Sequence, residues 1–136
     1  MNQNTQATTS RLYRVISAAL AFLLWGGWSF IVNGEDGLAT RMVSSITQGT
    51  ASFVITLVMV RIITWLYRRL PDVWFRVLLP AVITVTCTGS IVVLVHVLVG
   101  TPQITMTVIP AFTVAFGFSL FTAYKLKRSE QEQTTP

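Results

Sequence analysis

The chain has 136 residues, of which 52% are hydrophobic and only 11% charged, and its formal net charge is +5. Soluble domains carry about 25% charged residues, so an ordinary water-soluble fold is excluded and an integral membrane protein is expected. The bases gather at the ends of apolar runs instead of along an amphipathic face, which excludes a nucleic-acid surface and makes them a topology signal.

Residues 1–10 are polar, lack apolar periodicity and are expected to form a disordered cytoplasmic tail. The uncharged run from Val15 to Asn33 then matches the roughly 20 apolar residues that a helix needs to cross a bilayer, which places a first span at about 14–33. It is longer than the roughly 7–15 residues of a signal-peptide core, and no small-x-small cleavage site follows, so an uncleaved signal anchor is expected. Trp25 and Trp28 enclose Gly26 and Gly27, a block that predicts an aromatic belt at the boundary and a close helix crossing at the paired glycines.

The connection from Gly34 to Arg41 holds Glu35 and Asp36 and reads as a short polar loop. A second span is expected at about 45–67, with Ser44 or Ser45 capping its start. Gln48, Ser52 and Thr56 recur every four residues and therefore share one face, which is expected to look into the protein. Arg61 interrupts the run late, where its long stem reaches the headgroups by snorkelling.

Pro71 ends this helix, because the residue before a proline is driven out of the helical conformation. From Val77 to Tyr124 there is no acid or formal cation, a stretch too long for one span and right for two. Gly100-Thr-Pro-Gln103 supplies the turn between spans at about 75–99 and 104–124. Cys87, the lone cysteine, is expected to be a small buried side chain. Pro110 lies inside the fourth span, where neighbouring groups must satisfy the carbonyl it frees. Ala111, Ala115, Ser119 and Ala123 form a strict four-residue stripe of small side chains, expected to pack against other helices. Lys125, Lys127 and Arg128 stop the span, and residues 129–136 are expected as a second disordered cytoplasmic tail.

The fold class expected is all-α: a polytopic membrane protein with four transmembrane helices in a compact antiparallel bundle, its membrane domain covering residues 11–128. Arg11, Arg14, Arg68, Arg69, Arg76, Lys125, Lys127 and Arg128 then share one side, while Arg41 on the other is offset by Glu35 and Asp36. The positive-inside rule makes both termini cytoplasmic and the location a cell inner membrane.

Catalytic templates find no match: there is one His, one Cys, no phosphate-binding glycine loop and no carboxylate pair inside the spans. No enzymatic activity, metal or cofactor is expected. The spans also lack the acidic residue that proton- or cation-coupled transporters place in the membrane, as small multidrug transporters do in their first helix. The candidate ligand-binding residues are Asn33, Glu35, Asp36, Gln48 and His96, expected with Arg41 and Gln103 around a shallow outward cavity, and Ser52 and Thr56, expected with Gln48 to face a route if the chain is a transporter. The function expected is an accessory or assembly component of a membrane complex, partnered by the bilayer and by a second copy or another membrane protein. The alternative is an oligomeric transporter or channel subunit for a small solute or lipid.

Overall fold

A computed structural model describes residues 3–71 and 74–134. It contains α1 (Gln3–Val32), α2 (Leu38–Arg69), α3 (Leu78–Val99) and α4 (Ile104–Thr134). Each is long and apolar enough to cross a bilayer. The result is an all-α bundle of four long apolar helices, consistent with a polytopic membrane protein.

Side-chain contacts fix how the helices alternate. Tyr67 at the end of α2 and Arg76 just before α3 both reach Glu130 near the end of α4. At the opposite end Asn33, which follows α1, meets Thr107 at the start of α4. The helices therefore run antiparallel, with α2–α3 and the chain ends at one pole, the terminal end, and the α1–α2 and α3–α4 connections at the other, the hairpin end.

Three helices run beyond their expected limits. At 32 residues α2 is about 48 Å long, well over the roughly 30 Å of a hydrocarbon core. It begins at Leu38 behind Gly37, not near Ser45, and neither expected serine caps it: the Ser44 hydroxyl is buried and Ser45 donates to the Gly26 carbonyl at 2.8 Å. The early start is accommodated because Arg41 lays its guanidinium over the Phe30 ring and donates to the Phe30 carbonyl, so the charge stays at the boundary.

α1 begins at Gln3, so residues 3–10 are helical where a disordered tail is expected; residues 1 and 2 lie outside the described residues. Extending a formed helix fixes one residue per new hydrogen bond, which makes such continuation easy. The C-terminal tail is also helical as far as Thr134, with 135 and 136 outside the described residues. Two contacts hold it: Arg128 pairs with Glu132 one turn on, and Glu130 bridges to Arg76 at 3.1 Å. α3 starts at Leu78, slightly later than expected, because residues 74–77 form a turn and Leu79 closes back on the Phe75 carbonyl. It ends at Gly100, whose φ of 73° is the left-handed conformation that glycine adopts without penalty.

Packing is uneven. α2 touches all three other helices, whereas α1 leans on α2, meets α4 sparingly and does not contact α3 among the described residues. Gly26 makes the α1–α2 approach: a Cβ there would lie 3.1 Å from the Ser45 carbonyl oxygen and 3.5 Å from the Gly49 Cα. Gly27 differs from expectation, since a Cβ there meets nothing within 4 Å. Gly49 in turn receives the Phe22 ring, and Gly89 the Phe112 ring. Near the terminal end Met59, Ile63, Tyr67 and Ala123 form a core with Ala115 packed against it. Ala111, Ser119 and Ala123 of the small-residue stripe are buried on α4, and Ser119 also donates to its own helix at the Ala115 carbonyl. Cys87 is exposed, contrary to expectation; α3 is apolar all round, so its periodicity does not say which side faces lipid. Arg61 is exposed on α2 beside Thr64, Trp65 and Arg68.

The join between α1 and α4 has a specific cause. Pro110 has no N–H, so the Met106 carbonyl four residues earlier loses its helical donor. Trp28 Nε1 donates to that carbonyl at 2.8 Å. Trp28→Phe is expected to cost about 1–2 kcal/mol, since it leaves the carbonyl unpaired. Pro110→Ala in the same chain restores a backbone donor and should recover most of the loss, as read from unfolding midpoints in mixed detergent.

Candidate functional site

Two polar groupings occupy the hairpin half of the bundle. In the first, Asn33 is fully buried; its amide nitrogen donates to the Ser29 carbonyl at 2.8 Å and to the Thr107 hydroxyl at 3.1 Å. Its side-chain oxygen accepts from the Gln103 backbone N–H at 3.0 Å, which ties the end of α1 to the start of α4.

The second grouping centres on His96, also fully buried. Its Nε2 stands 2.8 Å from Gln48 Oε1 and its Nδ1 stands 2.7 Å from Thr101 Oγ1. Both contacts are satisfied by one neutral tautomer, in which Nε2–H donates to Gln48 and Nδ1 accepts from the Thr101 hydroxyl. The local chain explains the placement. Gly100 turns left-handed at the end of α3, which brings Thr101 back over His96, and the Thr101 N–H bonds the His96 carbonyl at 3.0 Å.

These groups bond within the protein, and Asn33 and His96 share no hollow with the acidic residues of the expected cluster. Glu35 is exposed and Asp36 half-buried on the α1–α2 connection, and Arg41 is turned toward Phe30. Among the described residues no three His, Cys, Asp or Glu side chains come together.

A hollow does exist deeper in the bundle. It measures about 210 Å³ and draws its lining from all four helices. Ala21 and Trp25 come from α1, Gln48, Ser52 and Thr56 from α2, Thr88 and Val92 from α3, and Phe112, Ala115 and Phe118 from α4. The expected α2 face thus lines it, while Asn33, Glu35, Asp36 and His96 do not. Its rim includes the exposed residues Val114 and Phe118, so it opens to the surface beside α4.

Sequence reasoning missed Thr101 and Thr107, the hydroxyls that complete the two groupings. A threonine directly after a glycine turn, and one directly before the apolar stretch leading to Pro110, were the available signals. No single-chain periodicity links Thr107 to Asn33, 74 residues away, whereas Thr101 lies only five residues after His96 and is brought to it by the Gly100 turn. Compared with known protein families, curated proteins and solved structures, the chain finds no match, so the small all-helical membrane-spanning architecture is what its identity rests on.

Proposed function

We propose that the chain is a non-enzymatic accessory or assembly component of a cell inner membrane, with both termini and the α2–α3 connection in the cytoplasm. The observation that carries this reading is the pair of buried polar groupings in the hairpin half. Asn33, Gln48, His96, Thr101 and Thr107 are buried and bonded to one another or to backbone, an arrangement that fixes helix positions. The orientation is supported by the bases, which the antiparallel order gathers at the terminal end, leaving Arg41 alone at the other.

The test is the mass of the assembly extracted from native membranes in mild detergent. A defined stoichiometry with a second polypeptide, or a closed set of copies, is the expected result. A strict monomer at every concentration would end the accessory reading. The second reading, an oligomeric transporter or channel subunit, is favoured by the placement of Gln48, Ser52 and Thr56 on the hollow. It requires reconstituted vesicles to show solute flux above that of empty vesicles, and falls if they do not.

A further inference from the structure

Ser52 lacks a bond that several other hydroxyls of the bundle make. Ser17, Thr56, Thr88, Ser90, Thr113, Ser119 and Thr122 each donate to the carbonyl four residues earlier on their own helix, the usual way for a hydroxyl in a membrane helix to be satisfied. Among the described residues the Ser52 hydroxyl has no partner, although Ser52 is only 8% exposed. The Gln48 amide nitrogen has none either: the only bond of that side chain is made by Oε1 to His96, and Gln48 is 2% exposed. Ser29, Ser44 and Thr84 also carry unpartnered hydroxyls, but theirs are sealed in protein, whereas Gln48 and Ser52 line the hollow. Two free donors one helical turn apart thus border the same apolar space.

The rest of the lining restricts the occupant. No charged side chain contributes to it, so a phosphate or an ammonium has no partner there. Three aromatic rings, Trp25, Phe112 and Phe118, form much of its wall. At about 210 Å³ the space exceeds the roughly 150 Å³ that holds benzene in a protein core. It falls short of the roughly 300–1,000 Å³ of sites that enclose a drug-sized molecule. One ring fits, with its tail left in the bilayer. Flat aromatic walls and the lack of any charge suit a neutral ring, and Gln48, joined through His96 to Thr101 of the α3–α4 connection, sets the donors toward the hairpin end of the bundle.

We propose that this cavity binds the head of a neutral ring-bearing lipid of the quinone class, which enters beside α4 and accepts hydrogen bonds from Gln48 and Ser52. This goes beyond the accessory reading and does not depend on it.

The test uses the full chain in phosphatidylcholine nanodiscs, titrated with decylubiquinone while tryptophan fluorescence is followed. Saturable quenching is expected, because Trp25 stands in the wall. Ser52→Ala, which removes a donor without adding bulk, should weaken apparent binding about three- to tenfold. Ala21→Phe, which fills the space, should abolish saturation while the thermal transition is kept. Quenching that never saturates, or that is the same in the wild type and Ser52→Ala, overturns the proposal. So does recovery of the fluorescence when diolein or a polyprenol is added at a concentration below that of the decylubiquinone present.

Discussion

Gly26→Leu should force α1 away from α2 and destabilise the protein by about 3 kcal/mol, at the upper end of what overpacking costs. The obstacle at Gly26 is the Ser45 carbonyl oxygen, 3.1 Å from where the first new carbon would stand, and backbone cannot swing aside as a side chain can. The same displacement stretches the Ser45 hydroxyl bond to the Gly26 carbonyl, now 2.8 Å. Association between helices in lipid rests on close van der Waals contact, so the loss is not recovered by burying the leucine elsewhere. Gly27→Leu is the control: with nothing within 4 Å of its Cβ, it should change stability by less than about 0.5 kcal/mol. Unfolding midpoints of the two variants in mixed detergent separate them directly. Equal midpoints would show that the crossing does not run through Gly26.

The second large effect is expected at His96. His96→Leu removes the shared partner of two buried groups, leaving Gln48 Oε1 and the Thr101 hydroxyl unsatisfied. Buried groups stripped of partners cost about 1–3 kcal/mol each in water-soluble proteins. Membrane helices recover part of that, since measured interhelical bonds average about 0.6 kcal/mol with a maximum near 1.7. The two effects together give about 1–3 kcal/mol. A double-mutant cycle sharpens the test, because Gln48→Leu combined with His96→Leu removes donor and acceptor together and should be clearly less damaging than the sum of the single changes. Additive losses would mean that the two side chains do not act as a pair.

Much of this fold is written into where charge is absent. The uncharged stretch from Val77 to Tyr124 can only be two spans, and the arginines flanking it set the alternation that the Arg76 and Glu130 contact displays. The shared face of Gln48, Ser52 and Thr56 was legible because four-residue spacing survives any tilt of the helix. Helix ends were less legible. Arg41 looks like a terminator until Phe30 supplies a ring and a carbonyl for its guanidinium. Lys125 to Arg128 look like a stop, yet the helix continues beyond the apolar region because Glu130 finds Arg76 from another element. The facing of Cys87 could not be read, since valines and leucines surround α3 on every side. The polar groupings were hidden for a related reason: whether Gln48 meets His96 depends on the crossing of α2 and α3, and that crossing is set by packing.

The bond from Trp28 to the carbonyl freed by Pro110 bears on how the protein is made. Helices enter a membrane in the order of their synthesis, so the first tryptophan-bearing hairpin waits in lipid with its indole directed to headgroup water until the last segment leaves the ribosome. Only then does a carbonyl released by proline arrive to take it. A nascent chain halted before residue 106 would therefore have every contact between the first two helices and no clasp to the last.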